Sequence, residues 1–265
     1  MSKEIDTSVP HPARRYNYWL GGKDNFAVDR ESGDEFARVF PAVRVGARAN
    51  RAMLQRAVRF LAGEAGIRQF LDIGTGLPTA DNTHEVAQRL APTSRVVYVD
   101  NDPLVMTHAR ALLTSDPAGF TTYLEGDLRE PDAILNNPLV RETLDLTQPV
   151  ALMLVAVLHF IPFDGGAQKL VERLLSALPA GSYLVATHAT TDFATPEGRA
   201  AHDKMREKGR SDVWPRSRAE VEALFAGTEL VEPGIVPVSE WRPDPGTELP
   251  PPRDVAIWGA VGRKG

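Results

Sequence analysis

From residue 68 onward, short apolar runs alternate with amphipathic helical patterns. Such alternation predicts right-handed βαβ units, and therefore a mostly parallel sheet with helices on both faces. The predicted strands are Gln69–Ile73, Arg95–Asp100, Thr121–Leu124, Val150–Val157 and Tyr183–Thr187. The helical patterns between them are Asn82–Leu90, Pro103–Leu113, Pro131–Asn136 and Asp164–Leu178.

The C-terminal part extends this pattern with a helix and two more strands. The helix is predicted at Arg218–Phe225, and the strands at Gly234–Val238 and Val255–Val261. Together with the five earlier strands, they predict a doubly wound, mostly parallel, seven-stranded α/β sheet of the Rossmann-like type.

The N-terminal part contains no strand-like run. It predicts a short helix at Asp29–Phe40 and a longer one at Val43–Glu64, with Pro41 between them. We therefore expect an N-terminal helical cap or lid over residues 1–64 and a ligand-binding domain over residues 65–265.

Composition excludes several classes of protein. The chain of 265 residues has no cysteine, which rules out disulfides and thiolate metal sites, and we predict no metal site. Its longest apolar run, Val150–Leu158, is too short to span a membrane, and the first thirty residues lack the apolar core of a signal peptide. We expect a cytoplasmic, soluble protein without a membrane partner.

Charge is unevenly distributed along the chain. Residues 1–60 carry +4, whereas the remainder carries −9. Five of the arginines lie in one helical stretch at positions 44–59, which we interpret as a solvated helix face. The acidic main domain argues against a nucleic-acid partner.

The most informative stretch is Phe70–Thr79, a buried strand that ends in a glycine-rich turn. In open α/β sheets, ligands bind at the carboxyl ends of the strands, and Gly74 and Gly76 would let the backbone approach one closely. Asp100 ends the next strand, where its carboxylate could bind both hydroxyls of a ribose. The pattern therefore predicts a nucleotide site.

Asp72 discriminates between two nucleotide ligands. A dinucleotide would place its pyrophosphate over the glycine turn, where this carboxylate would repel it. Thr79 also stands where a G-x-G-x-x-G motif has its third glycine. S-adenosylmethionine (SAM) instead carries a sulfonium and an ammonium group, which Asp72 would attract. Charge complementarity favours SAM.

Four motifs resemble those of class I SAM-dependent methyltransferases. Phe70–Gly76 resembles the first motif, Val97–Pro103 the second, and Gly126–Leu128 the acidic turn that binds adenine. Val155–Pro162 is similar to the end of the fourth strand, where the methyl acceptor approaches. The resemblance implies a class I methyltransferase fold that binds SAM.

A narrower resemblance covers nearly the whole chain. Ala13–Arg30, Asp72–Gln88 and Val231–Pro243 are similar to an actinobacterial group of methyltransferase-fold proteins, long described as a domain of unknown function. This resemblance implies an N-terminal helical cap and brings no settled substrate with it.

The motifs and the cap together indicate the site residues. We assign Asp102 to the cap of the helix that begins at Pro103. The candidate catalytic residues are His159, at the end of the fourth strand, and Tyr16. His159 could act as a general base, and Tyr16 could contact the methionine moiety or the acceptor. The expected cofactor-binding residues are Asp72, Gly74, Thr75, Gly76, Asp100, Asn101, Asp127, Leu128 and Tyr18.

The leading hypothesis is methyl transfer from SAM to an oxygen or nitrogen of a small metabolite. The fourth-strand region lacks the Asn/Asp-Pro-Pro-aromatic run of many nucleic-acid amino methyltransferases, so we do not expect DNA or RNA as substrate. Two alternatives stay open: a SAM-binding regulator without turnover, and an NAD(P)-dependent oxidoreductase. The sequence does not indicate an oligomeric state.

Overall fold

One sheet organises the molecule. The computed structural model describes residues 5–112 and 115–265, and within them eight strands form this sheet. The strands are β1 (Gln69–Ile73), β2 (Arg95–Asp100), β3 (Phe120–Glu125), β4 (Ala151–Val155), β5 (Tyr183–Ala189), β6 (Thr228–Leu230), β7 (Val236–Pro237) and β8 (Ile257–Lys264).

The strand order is β3-β2-β1-β4-β5-β8-β6, with β7 pairing β8. Strands β1 to β5 run parallel to one another. Strand β8 is antiparallel to β5, and β6 and β7 are antiparallel to β8. This arrangement confirms the predicted doubly wound, mostly parallel sheet. The chain leaves β1 toward β3 on one side and later returns to β4 on the other.

Strand boundaries differ from prediction at several places. The last strand was expected at Val255–Val261, but it runs from Ile257 to Lys264 because Ala256 takes a φ of 48°. The fourth strand was expected to reach Val157, but it ends at Val155 because Ala156 takes a φ of 56°, outside the extended region. The run Gly234–Val238 forms only the two-residue β7, because Gly234 has a φ of 82° and Pro237 has no N–H to donate. The short, polar β6 was not predicted.

Helices cover both faces of the sheet. Leu113, the last residue of the predicted helix Pro103–Leu113, lies outside the described residues. Within the described ranges, no helix is long and apolar enough to cross a bilayer. The helices are α1 (Pro12–Trp19), α2 (Ala27–Val39), α3 (Val43–Arg59), α4 (Thr83–Leu90), α5 (Pro103–Leu112), α6 (Pro131–Leu135), α7 (Pro138–Thr143), α8 (Ala167–Ser176), α9 (Pro196–Glu207), α10 (Arg218–Ala223) and α11 (Pro252–Val255).

Helix α1 was not predicted, because it has no apolar stripe. Its buried residues are Arg14, Arg15 and Asn17, so the hydrophobic periodicity that reveals most helices is missing. The loop residue His11 caps its first turn, and Pro12 suits the first helical position.

Side chains alternate between two cores along the strands. Leu71 and Ile73 pack into a core with α6, α7, α8 and α10 on one face. Phe70 packs on the opposite face with Met53 of α3 and Val86 of α4. Asp72 has the same parity as Phe70, so its carboxylate faces α3 and α4.

Candidate functional site

A cavity of about 370 Å³ lies at the carboxyl edge of the sheet, a volume that suits a small-molecule ligand. Residues that end β1, β2, β4 and β5 line it, and α1, α2 and α3 contribute to its wall. It therefore lies where β1 and β4 are neighbours and the chain winds away in opposite directions, the usual ligand site of such sheets.

The cavity brings together all but one of the residues predicted for the site. The exception is Tyr18, which is not among the lining residues. Its hydroxyl donates to Asp34 Oδ1 at 2.8 Å, and the Arg44 guanidinium stacks on its ring. The expected contact of Tyr18 with a cofactor therefore loses its support. The predicted residues that do line the cavity are Asp72, Gly74, Thr75, Gly76, Asp100, Asn101, Asp127, Leu128, His159 and Tyr16.

Asp72 presents a buried carboxylate to the cavity. Thr83 Oγ1, at the start of α4, donates to Asp72 Oδ2 at 2.7 Å. Burial raises the pKa of Asp72 to about 6, against the opposing effects of the Thr83 hydrogen bond and the Arg51 charge. The carboxylate is ionised at neutral pH but poorly solvated, so a cationic ligand would stabilise it.

The glycine turn after β1 has a backbone conformation that disfavours larger residues. Gly74 and Gly76 have φ values of 76° and 70°. The Gly74 N–H donates to Val99 O at 2.7 Å, which ties the turn to β2. A Cβ at Gly74 would lie 2.7 Å from Val157 Cβ and closer still to its Cγ2.

Gly74→Ala is expected to lower the free energy of unfolding by about 2–4 kcal/mol, because it combines a strained φ with overlap against Val157. Gly76→Ala is the matched control. It has the same strained φ, but the nearest atom to its Cβ lies at 3.9 Å, so about 1 kcal/mol is expected. Urea denaturation of both variants measures the difference, and equal losses would show that the Val157 contact is unimportant.

Asp100 is held in one orientation by two backbone groups. The Gly76 N–H donates to Asp100 Oδ2 at 2.8 Å, and the Asp102 N–H donates to Oδ1 at 2.9 Å. Burial nevertheless raises the pKa of Asp100 above its usual value. The remaining lone pairs of this fixed carboxylate could accept hydrogen bonds from a ligand.

Asp102 caps α5 as predicted and also forms a buried ion pair. The Leu104 N–H donates to its Oδ1 at 3.0 Å. Arg14 of α1 donates from Nε and Nη2 to its two oxygens, both at 2.8 Å. Burial opposes ionisation of Asp102, but the Arg14 bonds outweigh it and hold the pKa of this carboxyl below its usual value. This pair attaches α1 to the start of α5, beside the cavity.

Asp127 lies on the turn after β3. Arg129 Nε donates to its Oδ1 at 2.8 Å, and Asn101 Nδ2 donates to its Oδ2 at 3.1 Å. The Arg129 bonds hold the pKa of Asp127 well below its usual range. Its carboxylate is therefore ionised, and it is bridged to the end of β2 through Asn101.

His159 lines the other half of the cavity, after β4. The Ala189 N–H donates to its Nδ1 at 3.3 Å. Burial lowers the pKa of His159 to about 3, and the charges of Arg15 and Arg216 contribute. The ring is therefore neutral, and because Nδ1 uses its lone pair as an acceptor, Nε2 carries the proton. This geometry favours a hydrogen-bond donor and disfavours a general base.

Tyr16 joins α1 to α3 through its hydroxyl. This group donates to Ala47 O at 2.9 Å and accepts from Asn50 Nδ2 at 2.9 Å. Burial raises the pKa of Tyr16, so the hydroxyl stays protonated. Its ring can contact a ligand, but its proton is committed to Ala47.

Sequence reasoning missed several residues that line the cavity. Arg15 pairs with Asp212 through short hydrogen bonds, and Asn50 of α3 has a buried Oδ1 without a hydrogen-bond partner in the described residues. A signal for Asn50 existed, because it lies on the face of α3 that otherwise carries buried apolar residues. No local pattern indicated the pairing of Arg15 with Asp212.

The chain is similar to several proteins of known structure. A DUF574 family protein from Streptomyces avermitilis is 49% identical, with a TM-score of 0.92 over 99% of this chain and 100% of that one. A candidate methyltransferase from Thermobifida fusca is 45% identical, with a TM-score of 0.89 over 98% and 96% of the two chains. An O-methyltransferase family 2 protein from Planctomyces limnophilus, 18% identical with a TM-score of 0.51 over 90% and 66%, shares the fold.

Among curated proteins, none matches this chain. A profile of the S-adenosyl methyltransferase family matches residues 1–265. The two similar actinobacterial structures support the same assignment. The chain therefore belongs to the S-adenosyl methyltransferase family.

Proposed function

We propose that this protein transfers the methyl group of SAM to an oxygen or nitrogen atom of a small metabolite. The observation that carries the proposal is the buried Asp72 carboxylate beside the Gly74–Gly76 turn, at the point where the strand order reverses. An ionised carboxylate there lacks a cationic partner within hydrogen-bond distance in the described residues, and the ammonium group of SAM would supply one.

The residues present fit SAM from one end to the other. Asp72 would accept a hydrogen bond from the ammonium group, and Asp100 would accept from the ribose hydroxyls. Asp127 and the Leu128 backbone would bind the adenine, with Thr75 and Asn101 beside them. These residues lie at or just after the ends of β1, β2 and β3, which are adjacent in the sheet. When bound, SAM would supply a methyl group whose carbon is electron-poor, because the sulfonium sulfur can keep the bonding pair.

The other half of the cavity would hold the methyl acceptor. It lies beyond β4 and β5 and includes Val157, Ile161 and Val213. The task of these residues is to align the nucleophilic atom with the methyl carbon and to exclude water. We further propose that residues 1–64 act as the cap of residues 65–265, since α1 lies across the cavity and Arg14 attaches it to Asp102.

Calorimetric titration of the purified protein tests the cofactor. We expect SAM and S-adenosylhomocysteine (SAH) to bind at least about 100-fold more tightly than NADH, because Asp72 repels a pyrophosphate. Tighter binding of NADH would contradict the proposal and favour the oxidoreductase alternative. A panel of small hydroxyl and amine compounds, with SAH formation as the readout, then tests for transfer.

A SAM-binding regulator without turnover is the second candidate. The observation that favours it is the lack of a free proton acceptor at the two residues predicted for catalysis, since His159 is a neutral donor and the Tyr16 hydroxyl is bonded to α3. Saturable SAM binding without SAH formation across the panel would support this candidate. The expected cytoplasmic location and the absence of a nucleic-acid substrate stay predictions.

A further inference from the structure

The acceptor half of the cavity contains hydrogen-bond donors without acceptors. Arg15 is only 6% exposed, and its Nε has no hydrogen-bond partner in the described residues. Its other nitrogens are engaged, Nη2 with Asp212 and Nη1 with Ser32 Oγ at 3.3 Å. A buried N–H without an acceptor is unfavourable, so an oxygen from a ligand would stabilise it.

His159 adds a second donor on the same side. Its Nδ1 accepts from the Ala189 N–H, so the neutral ring carries its proton on Nε2. Within the part of the chain that the structure describes, no hydrogen bond involves this Nε2. The segment that contains Asp212 is held next to His159, because the Trp214 N–H donates to His159 O at 2.7 Å. Arg15 and His159 therefore belong to one wall of the cavity.

Positive charge exceeds negative charge at this wall. Besides Arg15 in the wall, Arg216 is buried behind it and donates to the neutral Leu158 O and Ile161 O at 3.2 Å and to His188 Nε2 at 2.9 Å. No carboxylate lies within salt-bridge distance of Arg216 in the described residues. The balancing acid at the wall is Asp212, whose side chain is 41% exposed and therefore screened by solvent.

The surrounding wall is aromatic. Trp19 and Phe36 lie with ring centroids 5.4 Å apart, and Phe160 packs against His159 with centroids at 4.4 Å. Together with Phe40, these rings line the cavity. Such a wall suits a flat ring, because aromatic rings stack or meet edge to face at these separations.

We propose that the methyl acceptor is an aromatic compound with an ionised oxygen, a carboxylate or a phenolate, and that Arg15 Nε and His159 Nε2 donate to this oxygen. That the bound compound is a methyl acceptor rests on the proposed function, but the anion site itself does not. In the absence of a ligand, Asp212 neutralises Arg15 from the more exposed side. His159 then positions the acceptor instead of removing its proton.

Benzoate and benzamide, which have the same shape but differ in charge, test the site by calorimetric titration of the full chain with and without SAH. We expect wild type to prefer benzoate by about tenfold or more, because a charge-assisted bond to Arg15 is stronger than a neutral one. Arg15→Gln should reduce the preference to about twofold or less. Arg173→Gln is the matched control, since this exposed arginine pairs with Asp132 outside the cavity, and the preference should persist.

Asp212→Asn provides a test with the opposite sign. Removal of the internal carboxylate leaves Arg15 in place and should strengthen benzoate binding several-fold. Equal binding of benzoate and benzamide, no binding of either, or a preference that survives Arg15→Gln would overturn the proposal. So would a loss of benzoate binding in Asp212→Asn. SAH binding should stay at the wild-type level in Arg15→Gln. A failure of SAH to bind wild type would count against the proposed function and not against the anion site.

Discussion

Asp72→Asn is expected to stabilise the ligand-free protein and to weaken its affinity for SAM strongly. Burial raises the pKa of Asp72 from 3.8 to about 6, so the folded protein disfavours the ionised form. At about pH 8 this shift corresponds to a penalty of up to about 3 kcal/mol in the free energy of unfolding, at 1.36 kcal/mol per pKa unit. Asparagine keeps the size of the side chain and an oxygen for Thr83, but it removes the charge.

The sign of the pH dependence follows from the direction of the shift. A carboxyl whose folded pKa is raised destabilises the protein progressively as pH rises from its unfolded value of 3.8 to about 6, and fully above that. The stability gain of Asp72→Asn should therefore be larger at about pH 8 than at about pH 5. Urea denaturation at both values measures it. A destabilised variant at the higher pH would show that the ionised carboxylate has a favourable partner in the free protein.

Binding should change in the opposite direction. Because the ammonium group of SAM requires the ionised carboxylate, wild-type affinity should fall about tenfold per pH unit below about pH 6. In Asp72→Asn the affinity should be weak and independent of pH in this range. Asp132→Asn, the same change at an exposed position on α6, is the control and should bind SAM like wild type. Unchanged SAM affinity in Asp72→Asn would refute the assignment of the cofactor site.

Arg14→Met is expected to lower the free energy of unfolding by about 3–5 kcal/mol, because it leaves the Asp102 carboxylate buried without its cation. The Asp102 side chain is fully buried, and Arg14 supplies two of its hydrogen bonds. Loss of this pair should also detach α1 from the cavity and weaken SAM binding. Urea denaturation and calorimetry measure the two effects.

The double variant Arg14→Met/Asp102→Asn separates the charge from the packing. Asparagine still accepts from the Leu104 N–H that Asp102 caps, but it has no charge to leave unpaired, so most of the lost stability should return. Arg89→Met is the control, since its pair with Asp81 is exposed and screened by solvent, so the free energy of unfolding should change little. An equally small loss in Arg14→Met would mean that water or His11 stabilises Asp102 without Arg14.

The sheet and the part of the cavity beside β1 and β2 could be predicted because their signals are local. Strand β1 and the turn that follows form one continuous segment, and Asp72, Gly74 and Gly76 lie within five residues of one another. Parallel strands bring their carboxyl ends to one edge, so Asp100 follows from the strand pattern, whereas Asp127 was indicated by the resemblance of Gly126–Leu128 to a family motif. The strand ends were less predictable, as Ala156 shows, because a single positive φ ends β4 two residues early.

The ion pairs around the cavity could not be predicted, because they join distant parts of the chain. Arg14 pairs with a residue 88 positions away and Arg15 with one 197 positions away, and neither distance leaves a pattern in the sequence. The polar buried face of α1 conceals the helix itself. His159 was recognised by its position after β4, but its neutral state depends on Ala189, Arg15 and Arg216, which only folding brings to it.

By itself, the sequence determined the class of fold and the location of the glycine turn after β1, because hydrophobic periodicity and short motifs are local signals. Its motifs also resemble those of the family to which the chain belongs. The tertiary structure alone decided which charges are paired. It placed Arg14 on Asp102 and Arg15 on Asp212, left Asp72 ionised without a cation, and made His159 a donor. Protonation states and ion pairs depend on burial and on neighbours that are remote in the chain, and these exist only in the folded protein.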